Sequence, residues 1–154
     1  MKLPSLYTLL LVLPLLALAE IEKPEEIAAE AKSQARHLTA EAFLDKQDKN
    51  PDLLLIDVRT QEEFLAGHLE GAVLIPRGTL EYKIQEHTQD PDRLIVVYCR
   101  TGGRGSLSAL ALESIGYQNV YDLEGGFQAW SQAGYPFLNQ HGKVQIVDPV
   151  KSEK

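Results

Sequence analysis

Two short stretches constrain the fold more than anything else in this sequence. Residues 53–58 (LLLIDV) and 94–98 (LIVVY) are nearly unbroken apolar runs bounded by turn residues. Neither alternates in polarity. A strand with one wet face alternates, whereas a strand buried on both faces does not, and that is how strands of a parallel sheet read. Shorter strand candidates fall at 72–75 and 119–123, with helical patterns between them. Thr60-Gln61-Glu62-Glu63 is a capping box opening a short helix that carries Phe64 and Leu65. Residues 80–87 predict a second helix, and 106–115 (SLSALALESI), stopped by Gly116, a third. Residues 126–133 predict a fourth, with Phe127 and Trp130 turned inward and Gly134 ending it. Strands alternating with helices imply an α/β fold with a central parallel sheet and helices on both faces.

The 154 residues leave room for one domain. A composition 44% hydrophobic and 24% charged excludes wholesale disorder, collagen and a multi-span membrane protein. With 15 Lys+Arg against 22 Asp+Glu, the net charge of −7 argues against nucleic acid as a partner. Residues 1–19 read as a signal peptide: Lys2, an apolar run over 9–18 broken by Pro14, then Ala17-Leu18-Ala19 at the expected cleavage site. The run is shorter than the roughly 20 residues of a comfortable membrane span. The expectation is an exported protein, periplasmic in a bacterial host, without a stable membrane anchor once cleaved; an uncleaved anchor or a buried helix is the alternative. Residues 20–37 predict an exposed amphipathic helix appended to the domain, its helical spacing running on to Leu38. Thr39 then caps a short helix carrying Phe43 and Leu44, the domain occupies 38–138, and 139–154 form a polar tail.

The only cysteine, Cys99, ends the more apolar of the two main strands and is followed by Arg100-Thr101-Gly102-Gly103-Arg104-Gly105. One Cys cannot form an intrachain disulfide or a Cys-rich metal site. In open α/β sheets ligands bind beyond the carboxyl ends of the strands. A Gly-rich turn entering a helix lets successive N–H groups converge on one point, an anion nest backed by the helix dipole. A sulfur placed there is favoured as thiolate, and Arg100 and Arg104 add positive charge that attracts an anionic substrate. Such a sulfur is a nucleophile without a histidine base. A buried structural thiol would explain the cysteine but not the glycines and arginines beside it.

At these residues the sequence resembles the single-domain rhodanese family of sulfurtransferases. Asp57-Val58-Arg59, Glu63-Phe64 and Gly67-His68-Leu69-Glu70-Gly71-Ala72, running on to Ile75-Pro76, are similar to its first signature. Tyr98-Cys99-Arg100-Thr101-Gly102-Gly103-Arg104 is similar to its active-site loop. Tyr121-Asp122-Leu123-Glu124-Gly125-Gly126-Phe127, Trp130 and Gly134-Tyr135-Pro136 resemble its closing segment. The resemblance implies a three-layer rhodanese-like fold and a persulfide mechanism. Cys99 would take sulfur from a small anionic donor such as thiosulfate and pass it to a thiol or cyanide-like acceptor, which can be a protein. Arg100, Thr101, Gly102, Gly103, Arg104 and Gly105 would bind the donor, with no cofactor and no metal. Related phosphatases place an arginine six residues after the cysteine. Here that position is Gly105 and the arginine is Arg104, so a phosphatase or arsenate reductase is the weaker enzymatic alternative. A docking module for a partner protein is another, as is a redox protein, which the absence of a second Cys weakens.

By the same resemblance Asp57 orients groups near the mouth of the site. Arg59 contributes to an electropositive rim or forms a surface salt bridge. His68 belongs to a packed turn, and Phe127 and Trp130 belong to the core. Glu124-Gly125-Gly126 either border the pocket or serve packing. Ser106 and Ser108 back up the nest or cap the helix. His37, His87 and His141 lack metal-ligand spacing.

Overall fold

The computed structural model describes residues 21–147, so the signal-peptide reading of 1–19 and the end of the tail lie outside the described residues. Helices α1 (Pro24–Gln34) and α2 (Ala40–Lys49) flank a short strand β1 (His37–Leu38). Then follow β2 (Leu54–Asp57), α3 (Gln61–Ala66), β3 (Val73–Leu74), α4 (Leu80–Lys83), β4 (Ile95–Tyr98), α5 (Gly103–Ser114), β5 (Val120–Leu123) and α6 (Gly126–Gln132). A hairpin of β6 (Phe137–Asn139) and β7 (Gly142–Val144) closes the described chain. Five strands form one parallel sheet in the order β1-β5-β4-β2-β3, with Leu54 opposite Ile95, Asp57 opposite Tyr98 and Val97 opposite Asp122.

The non-alternating runs are β2 and β4, and they are buried on both faces. Leu54, Ile56, Ile95, Val97 and Val120 pack on one face with Ala109 and Leu112 of α5. Leu55, Val96, Tyr98 and Leu123 pack on the other with Phe43 of α2 and Trp130 of α6. Full burial of each such aliphatic or aromatic side chain contributes roughly 1.5–3 kcal/mol, so the two-sided sheet is the main stabilising element. Helices on both faces of a parallel sheet make the three-layer fold.

Several expectations need correcting. The first helix is not an appendage. It docks on α5, burying Ala31 and Ala35, and Ala28 comes so close that a Cβ on Gly103 would lie 3.1 Å from its own. Leu38 belongs to β1, which pairs with β5. The segment 80–87 is broken into a turn of α-helix, α4, between two 3₁₀ turns, Arg77–Thr79 and Ile84–Glu86. The tail begins as structure, since Asn139 and β7 form the hairpin. Helix α5 starts at Gly103, not near Ser106, because Gly102 takes the left-handed conformation at φ +96° and turns the chain into the helix early.

Candidate active site

Parallel strands bring the carboxyl ends of β2, β4 and β5 side by side, and the chemistry-bearing residues follow them directly: Arg59, Cys99 and Glu124. Cys99 is buried, 1% exposed, and its Sγ accepts a hydrogen bond from the Gly102 N–H at 3.2 Å. The loop's carbonyls are all engaged on its outer side. Cys99 O accepts from Phe127 N–H at 2.8 Å and Arg100 O from Gln128 N–H at 3.0 Å. Thr101 O accepts from Lys32 Nζ at 3.0 Å, and Gly102 O from Ser106 N–H at 2.8 Å. With these carbonyls engaged elsewhere, the Gly102 N–H is left to donate to the sulfur, which favours an anion there.

The start of α6 makes this possible. Gly126 has φ +60°, and a Cβ there would come within 2.4 Å of Cys99 O. Gly126 therefore serves close approach of α6 to the loop, while Gly125 leaves room for Ala129 within the first turns of α6. Phe127, expected in the core, stands half-buried at the wall of a cavity of about 540 Å³. Arg59, Glu63, Arg100 and Gln128 line the same cavity. Arg100 is exposed there.

Arg59 lines this cavity, but its salt bridge is buried, not a surface one. It is 4% exposed and grips the fully buried Asp57 through Nε to Oδ1 at 2.9 Å and Nη2 to Oδ2 at 2.6 Å. Nη2 also donates to Gly67 O at 2.6 Å, and the guanidinium lies 4.4 Å over the Phe127 ring. Asp57 also accepts from the Arg59 N–H at 3.0 Å. The reason is geometric: both side chains leave the end of a buried strand, so the cation can enter only with its counter-ion. Burial and the Asp57 charge also push the Tyr98 phenol far up, and its oxygen accepts from Leu69 N–H at 3.1 Å.

Arg104 does not present a free charge to the loop. It forms a two-pronged pair with Glu63, both contacts 2.9 Å. Glu63 is the acidic member of the Thr60 capping box, so one carboxylate caps α3 and neutralises the loop arginine. The hydrogen-bonded Arg104 holds the Glu63 carboxyl below its ordinary value despite partial burial. Thr101 is exposed, and Gly102, Gly103 and Gly105 form the turn and first turn of α5. Gly105 has no room for a side chain, since its Cβ would overlap Asp122 Oδ1.

Beyond the residues singled out from sequence, the structure brings Lys32, His37 and Asp122 to the loop's other flank. They line a cavity of about 450 Å³ with Thr101, Gly102 and Glu124. Asp122 is fully buried and receives the Ser106 hydroxyl on Oδ2 at 2.8 Å, so Ser106 serves this carboxyl; Ser108 instead donates to Arg104 O at 2.7 Å. Among the described residues Asp122 Oδ1 has no partner. Burial pushes the carboxyl up to about 7, with Ser106, His37 and Lys32 pulling the other way. The reading of 119–123 as a strand gave no hint of a role for its buried acid, because its partners come from α5 and β1. His68 packs in its turn, stacked 3.8 Å on Phe64 with Nδ1 2.9 Å from Phe64 O. Trp130 is core, donating Nε1–H to Pro136 O at 2.8 Å. Among the described residues no three His, Cys, Asp or Glu side chains are grouped to hold a metal ion.

Comparison with known proteins gives this geometry a family. A sulfurtransferase of Allochromatium vinosum is 30% identical over 105 residues, 68% of this chain and 96% of its own length. A putative sulfur carrier protein of Bacillus subtilis is 29% identical over 72% of this chain, which spans only 59% of that longer protein. The polysulfide-sulfur transferase homodimer of Wolinella succinogenes superposes with a TM-score of 0.64 at 31% identity, covering 73% of this chain and 85% of the other. Residues 39–133 match the family model of the rhodanese-like domain, from the capping Thr39 through the Cys99 loop to the end of α6, and the chain belongs to that family.

Proposed function

We propose that the protein is a sulfurtransferase that carries sulfane sulfur as a persulfide on Cys99. The Cys99 thiolate attacks the outer sulfur of a small anionic donor such as thiosulfate. A Cys99–sulfur bond forms, the donor's S–S bond breaks, and sulfite leaves with the bonding electron pair. A cyanide or thiolate acceptor then attacks the outer sulfur and releases Cys99 as thiolate. Both resting anions would sit in the same N–H cradle, so neither half-reaction requires the loop to rearrange. The observation that carries this reading is the Gly102 N–H donating to Cys99 Sγ inside a loop whose carbonyls are held outward. Arg100, exposed at the cavity wall, is placed to attract the donor.

The decisive experiment incubates the protein with thiosulfate and measures intact mass without reductant. The expected outcome is a gain of one sulfur atom that cyanide removes and that Cys99→Ser abolishes. No adduct with thiosulfate, persulfides or polysulfides would overturn the reading. A sulfur carrier serving a protein acceptor is the second reading, favoured by the likeness to the Bacillus subtilis protein. It predicts rapid loading but slow turnover with cyanide or small thiols. Export is part of the proposal, resting on the pattern of residues 1–19. N-terminal sequencing of the protein from its host would find Glu20 first, and an intact Met1 or Lys2 would overturn it.

A further inference from the structure

Helix α1 precedes the family-matched segment, yet it touches the part of the molecule where the chemistry is placed. Lys32 Nζ donates to Thr101 O at 3.0 Å. That carbonyl belongs to the same peptide unit as the Gly102 N–H, which donates to Cys99 Sγ at 3.2 Å. One planar amide therefore links the ammonium to the sulfur. Because the amide is conjugated, a positive charge drawing electron density onto oxygen makes the N–H a stronger donor. The loop is also bare where α1 passes. A Cβ on Gly102 would lie 3.2 Å from Lys32 Cε, and one on Gly103 would lie 3.1 Å from Ala28 Cβ. The lysine stem is thus laid along a surface that only glycines leave open, while the residue itself stays exposed.

We propose that Lys32 is a positioning residue for Cys99, polarising the Thr101–Gly102 peptide so that its N–H holds the sulfur anion. The inference deepens the sulfur-transfer reading and rests on it for its biological meaning. The other charges around Cys99 are arranged differently. On the β2 side Asp57 is closed by Arg59, and Glu63 of α3 is closed by Arg104 of α5. Arg100 is exposed beyond the loop. On the β5 side stand the buried Asp122 and, from β1, His37, whose Nδ1 lies 3.6 Å from Asp122 Oδ2. Lys32 is the cation that reaches the loop from α1; its hydrogen bond goes to a backbone carbonyl, while its charge is also felt by Asp122.

The test compares the full chain with Lys32→Met, Lys32→Arg and Lys23→Met, a lysine at the far end of α1 that pairs with Glu26. The rate of Cys99 alkylation by iodoacetamide is measured against pH, and the thermal midpoint is taken alongside. Lys32→Met is expected to slow alkylation near neutral pH about threefold and move the midpoint of the profile up by about half a pH unit. It should also shorten the lifetime of a donor-loaded persulfide. Lys32→Arg should restore most of both, and Lys23→Met should change neither. A Lys32→Met profile that overlays the wild type would overturn the proposal. So would an equal shift in Lys23→Met, or a lowered thermal midpoint with the profile unmoved, which would make Lys32 a latch for α1. Alkylation needs no sulfur donor. A wild type that never loads sulfur would therefore sink the sulfur-transfer reading while leaving the Lys32 effect measurable.

Discussion

The two flanks of the Cys99 loop handle charge in opposite ways. Toward β2 and α3, Asp57 and Glu63 each have their own guanidinium: Asp57 with Arg59, Glu63 with Arg104. Toward β1 and β5, the carboxyl of Asp122 is equally buried but holds one hydroxyl, a histidine at 3.6 Å and an oxygen with no partner. The first flank is electrostatically closed. The second is left poised near neutrality, since burial puts Asp122 at about 7. The comparison suggests a division of labour. A frame that must hold the strand ends in register is built from fixed pairs, while the charge felt by the sulfur is set from the other side.

The closed flank should break hardest. Arg59→Met removes the cation paired with a fully buried Asp57, whose carboxylate would remain in an apolar setting. Breaking a buried pair from one side costs about 3–5 kcal/mol. Denaturant unfolding should report a loss of that order, together with loss of the Gly67 contact that ties α3 to the strand end. A change below about 1 kcal/mol would mean that the pair is not the frame described.

The poised flank should respond in the opposite sense. The folded-state value of Asp122 is raised to about 7, above the ordinary aspartate value in the unfolded chain. Its neutral form is therefore favoured by folding. The stabilisation from that neutral form is fully present below about pH 4 and is lost as pH rises through 7. Asp122→Asn keeps the shape, retains an acceptor for Ser106 and cannot ionise. Between pH 4 and 7 the wild type should lose about 2–4 kcal/mol that the variant does not. Parallel pH–stability curves for the two proteins would show that Asp122 is not the group that titrates.

This asymmetry marks the boundary of what the sequence made legible. The runs over 53–58 and 94–98 announce two-sided strands because burial on both faces leaves no room for alternation. The Thr60–Glu63 box and the Gly116 stop are local signals, so α3 and the end of α5 could be read within a few residues. The features that were missed depend on partners far along the chain. Glu63 and Arg104 are 41 positions apart, Lys32 and Thr101 are 69, and His37 enters a strand only because β5 offers it an edge. Periodicity carries no information about such pairings. That is why Arg104 looked like free charge, Arg59 like a rim charge or a surface salt bridge, and α1 like an appendage. Cys99 was legible because its role follows from local chemistry: a strand end, a glycine turn and a helix start.

The smallest effect tests whether the closed flank matters to function as well as to the frame. Glu63→Gln keeps the size of the side chain; its amide oxygen in the Oε2 position can still accept from Arg104 Nη1 and the Thr60 N–H, but the contact from Arg104 Nη2 and the charge are lost. Because both partners are partly exposed, 28% for Glu63 and 40% for Arg104, the stability loss should stay below about 1 kcal/mol. Arg104 then faces the loop with its charge uncompensated. An anionic donor should gain a few-fold in affinity, read as a lower KM for thiosulfate with kcat nearly unchanged. That outcome would show that Glu63 tempers the electrostatic pull of the site. A raised KM would instead mean that the pair positions Arg104 for the donor, and that the geometry of the closed flank outweighs its neutral charge.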